Sequence, residues 1–108
     1  MTEARLATGI WVAALRQRLE AGAVPFYILA RGDATAGAVA LVAAQGADAA
    51  LWLREYDLET GARVWRIAAQ GPAAKVGAAA RRQRDFDPDL WLIEVETADL
   101  PALLDGLD

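Results

Sequence analysis

The segment YDLETGARVW, residues 56–65, constrains the fold of this chain more than any other stretch of similar length. It joins two apolar runs, 49–57 and 62–70, through a short connection that contains Gly61. A short loop with a glycine at the position that needs left-handed backbone is typical of a β-hairpin. The segment therefore predicts two adjacent antiparallel strands near the middle of the chain.

The other elements follow from the periodicity of apolar residues and from the positions of Gly and Pro. Helices are predicted at 8–23, 72–84 and 99–108, and further strands at 25–31, 38–44 and 90–97. Thr8 and Asp99 are the predicted N-caps of the first and last helices, because a side-chain oxygen there can accept a hydrogen bond from a helix N–H. Four strands in succession, joined by short loops, indicate an antiparallel meander.

We therefore predict the α+β class and a single domain over residues 1–108. The predicted sheet is an antiparallel meander of four to five strands. The N-terminal helix and the helix before the last strand are expected to pack on one face of it. The Trp residues are expected to lie mainly in the core, because each can bury a large apolar area.

Missing residue types restrict the chemistry of the chain. It contains no Cys, His, Ser or Asn. An ordinary zinc site lacks its preferred ligands, and hydrolysis by a Ser–His pair lacks both groups. Proton transfer is left to carboxylates, Lys75, Tyr27 and Tyr56. We predict no catalytic residue, no metal and no cofactor; whether the chain is an enzyme stays open, with the inventory against it.

Charge and hydropathy bear on partners and location. The net charge of −4 disfavours sequence-independent binding to nucleic acid, because both carry negative charge. No segment reaches the roughly 18 apolar residues that a membrane helix needs. Residues 6–15 are apolar, but Arg16 and Arg18 follow them, which argues against a signal peptide. We expect a cytoplasmic protein that binds neither nucleic acid nor a membrane.

Residues 31–37, Arg-Gly-Asp-Ala-Thr-Ala-Gly, form the first candidate site. A phosphate-binding loop is disfavoured, because the G-x-x-x-x-G-K-[ST] pattern is missing and a strand follows instead of a helix. An adhesion triplet would need an extracellular location, which nothing in the sequence indicates. The Gly-Asp pair is consistent with simple turn chemistry. Alternatively, Arg31 and Asp33 contact an anion or a partner from an exposed hairpin tip.

The segment DFDPDLWLIEVE, residues 85–96, is the second candidate. Four carboxylates occupy positions 1, 3, 5 and 12 of a calcium-loop template, namely Asp85, Asp87, Asp89 and Glu96. Leu90 stands where that template needs Gly, so we interpret the segment as an Asp-rich turn before a strand whose glutamates face solvent. A looser magnesium site remains an alternative.

A basic run on the second predicted helix is the third candidate. It comprises Lys75, Arg81, Arg82 and Arg84. Such a run is usually a solvated helix face. Alternatively, Arg82 or Arg84 pairs with the neighbouring aspartates.

Together the segments resemble a family of short bacterial proteins, the domain of unknown function numbered 1491. The resemblance rests on the helix IWVAALRQRLEAGA, on RGDATAGAV, and most specifically on the closing FDPDLWLIEVE. It departs at Asp85, where the family pattern has Arg; here Arg84 stands one place earlier. The resemblance implies a cytoplasmic protein of a Gram-negative bacterium and implies no activity, cofactor or partner.

Two functional hypotheses follow. The first is a non-catalytic binding module that acts as an adaptor or as a homodimer. The second is a small-ligand binder, or an enzyme dependent on carboxylates or a metal, that uses Arg31, Asp33, Asp87 and Asp89. The second requires these four side chains to converge in one place.

Overall fold

The computed structural model describes residues 6–107, which form three helices and five strands. In chain order these are α1 (Thr8–Ala21), β1 (Phe26–Ala30), β2 (Val39–Gln45), β3 (Asp48–Tyr56), β4 (Arg63–Pro72), α2 (Ala73–Phe86), β5 (Trp91–Glu96) and α3 (Leu100–Leu104). The α+β class and the predicted order of elements are confirmed. Asp108, the last residue of the predicted terminal helix, lies outside the described residues.

The predicted hairpin is confirmed as β3 and β4, which pair antiparallel. Its loop closes through hydrogen bonds from the Asp57 N–H to the Ala62 carbonyl (2.8 Å) and from the Gly61 N–H to the Asp57 carbonyl (2.7 Å). Gly61 has φ +71°, the left-handed region that favours glycine. The local sequence therefore determines this part of the sheet.

The sheet order is β1-β5-β2-β3-β4, which differs from the predicted meander. Strand β5 lies between β1 and β2, antiparallel to β1 and parallel to β2, so β1 and β2 never pair. The reason is the apolar character of β5. Its residues Leu92 and Ile93 point to opposite faces and are both buried, as expected for an internal strand.

Helices cover both faces of the sheet, whereas the sequence predicted one. One core lies between α1, α3 and the sheet face that carries Leu41 and Ile93. A second core lies between α2 and the face that carries Val42 and Leu92. Because alternate residues of β2 are apolar on both sides, each face needs a covering layer. Helix α2 supplies Val76 and Ala80 to the second core.

Helix ends agree with the predictions at one cap and disagree at the other. The Asp99 side chain accepts a hydrogen bond from the Ala102 N–H (3.3 Å), as predicted. Thr8 is not a cap: α1 is preceded by Ala7, and the Thr8 hydroxyl donates to the Gly37 carbonyl (2.7 Å). The Thr8 hydroxyl therefore bonds to a residue distant in the chain instead of capping the helix.

Two of the four Trp residues, Trp11 and Trp91, are buried in the first core, and Trp52 and Trp65 are partly buried against it. The Trp11 and Trp65 rings lie 5.8 Å apart. Among the helices of residues 6–107, none has the length and hydropathy needed to cross a bilayer.

Candidate functional site

The loop that connects β1 to β2 packs directly against the turn that precedes β5. We call these two segments, residues 31–38 and 87–91, the loop junction. The Asp33 N–H donates to the Asp89 carbonyl (3.0 Å), and the Trp91 N–H donates to the Ala38 carbonyl (2.8 Å). The Trp91 indole Nε1 donates to the Asp33 carbonyl (2.9 Å). The predicted hairpin tip is therefore a crossover loop that is bound to the start of β5.

Two glycines make this close contact feasible. A Cβ atom at Gly32 would overlap the Asp89 carbonyl oxygen and lie 2.7 Å from Trp91 Cδ1. A Cβ atom at Gly37 would overlap the same carbonyl and lie 2.7 Å from the Asp33 carbonyl oxygen. The glycines of the RGDATAG segment are thus explained by backbone-to-backbone packing, where no side chain fits.

The loop junction also holds the start of α1. The Gly9 N–H donates to the Ala34 carbonyl (2.8 Å), and the Thr8 hydroxyl reaches Gly37 as described above. The first turn of a helix has N–H groups without partners inside the helix. In this chain the crossover loop supplies acceptors to them.

Arg84 of α2 hydrogen-bonds to both segments that meet at the junction. Its Nε donates to the Leu90 carbonyl (2.9 Å) and its Nη2 donates to the Arg31 carbonyl (3.0 Å). The sequence predicted that Arg84 lies on a solvated helix face or pairs with a neighbouring aspartate. In the structure it bonds to backbone carbonyls instead. One planar guanidinium joins the ends of two segments that are far apart in the chain.

The four predicted site residues, Arg31, Asp33, Asp87 and Asp89, all lie in the two segments of the loop junction, but each side chain contacts its own surroundings. The Arg31 guanidinium lies over the Trp91 ring, 5.6 Å from its centroid. One Asp33 carboxylate oxygen accepts from the Ala36 N–H (2.8 Å), and one Asp87 carboxylate oxygen accepts from the Asp89 N–H (3.1 Å). Both carboxylates thus stabilise turns.

The arrangement of these carboxylates does not support metal binding. Within residues 6–107, no group of three acidic side chains is arranged so that it could hold a metal ion. Instead, Asp33 contacts Asp89 through its backbone, and the Asp87 carboxylate accepts from the Asp89 N–H. Ligand binding by these residues stays a prediction.

A groove next to the loop junction was not predicted. It lies between α2 and the sheet, on the face that carries the second core, and has a volume of about 490 Å³. Small and apolar side chains make up most of its lining: Leu29, Ala30, Val42, Ala44, Ala49, Ala73, Gly77, Ala80 and Leu92. Its charged residues are Arg81, Arg84, Asp85 and Glu94. We call this the α2 groove.

Strand β1 leaves two large side chains exposed beside or in the α2 groove. Leu29 lines the groove and is 54% exposed. Tyr27 is 51% exposed and pairs with Glu94 of β5, so both side chains lie on this face. The exposed Tyr27 and Leu29 side chains therefore form an apolar surface next to the concave groove.

Two charged side chains of the groove form no ion pair with any residue that the structure describes. Glu94 is half-buried at the sheet, although the sequence placed it in solvent. Arg81 is exposed on α2. Within the described part of the chain, no ion pair involves either residue. Ala73, Gly77 and Ala80 recur at helical spacing on one side of α2, but this pattern alone does not indicate a groove, because the groove also depends on the strand order.

Comparison with known proteins gives a family and no activity. A model of the family described as "Protein of unknown function (DUF1491)" matches residues 6–105. The crystal structure of a DUF1491 family protein from Caulobacter crescentus CB15 is similar, with a TM-score of 0.79 and 35% sequence identity over 88% of this chain and 91% of that chain. No curated protein matches the chain.

Two solution structures are also similar. An NMR structure of a DUF1491 family protein from Caulobacter crescentus CB15 has a TM-score of 0.76 and 34% identity, covering 90% of each chain. Protein Atu0922 from A. tumefaciens has a TM-score of 0.76 and 24% identity, covering 97% of each chain, and supports the fold alone. The match over residues 6–105 establishes that this chain belongs to the DUF1491 family.

Proposed function

We propose that the chain is a non-catalytic protein-binding module of the adaptor kind, and that the α2 groove is its docking surface. The observation that carries this proposal is an open, mainly apolar groove bordered by the exposed Tyr27 and Leu29. Exposed apolar surface beside a concave site is typical of places where a partner binds. We also place the module in the cytoplasm.

The residue types of the groove support binding over catalysis. The chain has no Cys, His or Ser, so the groove offers neither a common nucleophile nor an imidazole base. Its charged groups are guanidinium and carboxylate, which orient a partner through ion pairs and hydrogen bonds. The apolar floor supplies area that a partner can remove from water.

Native mass spectrometry of the protein purified gently from its host tests this proposal. We expect a stoichiometric second polypeptide with the wild type and with Leu58→Asp. Leu58 is 97% exposed on the β3–β4 loop and provides a matched control. Leu29→Asp should remove the second polypeptide, because it places a charge on the groove surface. A partner that both variants retain, or a bare monomer of the wild type, contradicts the proposal.

A homodimer is the other form of this proposal. In that case the second polypeptide has the mass of this chain, and Leu29→Asp gives a monomer. The measurement thus assigns the groove to a different protein or to a second copy.

The alternative function is small-ligand or metal binding through Arg31, Asp33, Asp87 and Asp89. Its support is that the four residues lie in two contacting segments, where the Asp33 N–H donates a hydrogen bond to the Asp89 carbonyl (3.0 Å). Calorimetric titration with magnesium chloride tests it. Binding heat that Asp89→Asn removes would favour this function, and no heat with the wild type would contradict its magnesium form.

A further inference from the structure

The two faces of the sheet are covered to different extents. Five strands about 4.8 Å apart span about 19 Å, and a helix with its side chains is about 10 Å wide, so two helices are needed to cover each face. One face carries α1 and α3. Among residues 6–107, the other carries α2 alone, which contacts β4 and β3 most and β2 and β5 less. Within the described part of the chain, the half of this face over β1 and β5 therefore lacks a helix.

The groove is as long on its α2 side as one short helix. The α2 residues that line the groove run from Ala73 to Asp85. The twelve steps between them, at a rise of about 1.5 Å each, correspond to about 18 Å, the length of a helix of about three turns.

Small residues on α2 allow a helix to approach closely. Ala73 and Gly77 line the groove and present little more than backbone and a methyl group, and the buried Ala80 closes its base. A Cβ atom at Gly77 would have the Arg81 Nη1 as its nearest neighbour, at 3.7 Å, so the space beside this residue is open. Two helices come within about 8 Å of each other when the residues between them are small.

A strand fits this place less well than a helix does. Strand β1 is an edge of the sheet, but Leu29 is an extra residue between Ile28 and Ala30, which pair with Ile93 and Leu92. Such a bulge interrupts the hydrogen-bonding edge that an added strand needs. The bulge leaves Leu29 exposed in the groove, where a helix side chain can pack on it.

The unpaired charges specify the partner further. Glu94 is half-buried in the sheet floor, and Arg81 lies on the α2 wall, with no ion pair to either in residues 6–107. A half-buried carboxylate favours a cation opposite it. A helix with a Lys or Arg within its apolar face would reach Glu94, and an acidic residue on its flank would pair with Arg81.

We propose that the α2 groove binds one amphipathic helix of a partner protein, about three turns long, with a basic residue in its apolar face opposite Glu94. This inference rests on the proposed function and names the chemistry of its partner. The helix completes the second layer on the α2 face. It uses the helix-in-groove mode of recognition, in which apolar anchors recur at helical spacing.

Selection from a displayed library of 14-residue amphipathic helices tests the proposal. The library randomises the apolar positions and allows Lys, Arg, Glu or Leu at a central position of the apolar face. Wild-type protein is the bait, and Leu29→Asp protein removes peptides that bind elsewhere. We expect enriched peptides with a central Lys or Arg. No enrichment, or enrichment of Leu or Glu at that position, overturns the proposal.

Reciprocal charge reversal provides the second measurement. Glu94→Lys should weaken binding of a selected peptide by about tenfold or more, since a like charge then opposes the basic residue. A peptide with Glu at the central position should bind Glu94→Lys more tightly than it binds the wild type. Glu94→Gln, which keeps the shape of the side chain, and Leu58→Asp serve as folding and surface controls. Equal affinities across the Glu94 variants overturn the proposal.

The two proposals fail in distinguishable ways. If Leu29→Asp breaks the complex purified from the host but the contact maps to a non-helical segment of the partner, the helix inference is wrong and the groove remains a docking surface. If the purified complex survives Leu29→Asp, the docking surface itself is wrong. A homodimer that Leu29→Asp dissociates assigns the groove to a second copy and overturns the helix partner.

Discussion

The loop junction and the α2 groove lie on either side of Arg84, and they are built in opposite ways. At the junction, two glycines and a series of hydrogen bonds to carbonyl oxygens bring two backbones into contact. In the groove, small side chains leave open space beside α2, and no ion pair joins Arg81 to Glu94 in the described residues. The RGDATAG segment therefore stabilises the fold, whereas mostly small and apolar residues form the open α2 groove.

The comparison predicts that substitutions at the junction affect stability and that substitutions in the groove affect binding. The largest effect is expected for Gly32→Ala. Its new methyl group would overlap the Asp89 carbonyl, and backbone cannot move aside as a flexible side chain does. We expect the free energy of unfolding to fall by about 3 kcal/mol, as for severe overpacking. Urea unfolding followed by Trp fluorescence measures it.

Gly77→Ala is the matched control for Gly32→Ala. Its Cβ atom has open space apart from the Arg81 Nη1 at 3.7 Å, and the position is inside a helix. We expect stabilisation of about 0.5–1 kcal/mol, because Ala has the higher helix propensity. Equal losses for the two variants would show that the tight contact at Gly32 does not limit stability.

The second effect is expected for Arg84→Met, which keeps the aliphatic stem but removes the donors to the Leu90 and Arg31 carbonyls. Hydrogen bonds from a charged group contribute about 1.5–3 kcal/mol, so we expect a loss of about 2 kcal/mol in the free energy of unfolding. Arg82→Met, at an exposed neighbouring position, should change it by less than about 0.5 kcal/mol. Similar changes in the free energy of unfolding for both variants would show that the Arg84 hydrogen bonds do not stabilise the junction.

The third effect is expected for Asp33→Ala. In the structure the Asp33 carboxylate accepts from the Ala36 N–H at 2.8 Å. We expect Asp33→Ala to lower the free energy of unfolding by about 1 kcal/mol, as for the loss of one hydrogen bond. Asp33→Asn keeps a carbonyl acceptor and should lose less. Thermal unfolding of both variants distinguishes these values.

The smallest effect on stability is expected for Leu29→Asp, the variant with the largest expected effect on binding. Leu29 is 54% exposed, so its replacement should change the free energy of unfolding by about 0.5 kcal/mol or less. Circular dichroism during heating measures this value before any binding experiment. A loss like that of Gly32→Ala would make Leu29 a part of the fold instead of a docking residue.

Local patterns predicted the elements well, because each depends on neighbours in the chain. The α1 face formed by Trp11, Val12, Leu15 and Leu19 is buried as its spacing predicts. Gly61 turns the hairpin as expected. The cap at Asp99 forms because donor and acceptor are three residues apart. In each case the partner lies within one turn of helix or one loop.

Partners distant in the chain were predicted poorly. Nothing local shows that β5 pairs with both β1 and β2, and the eight residues 31–38 suit a hairpin loop as well as a crossover. The Thr8 hydroxyl and the Arg84 guanidinium have carbonyl partners 29 and 53 residues away, Gly37 and Arg31. The α2 groove depends on the strand order, so it could not be found before that order was known.

The insertion of β5 between β1 and β2 sets the order in which the chain can complete its fold. During synthesis, β1 to β4 leave the ribosome before the strand that separates β1 from β2. Until Trp91–Glu96 arrives, β1 has no neighbour in the sheet and β2 has one open side. Contacts between segments so far apart in the chain form slowly and leave apolar edges exposed in the meantime. Strand β5 is thus needed to complete the sheet, and we expect a nascent chain that stalls before Trp91 to have an unfinished sheet that is prone to aggregation.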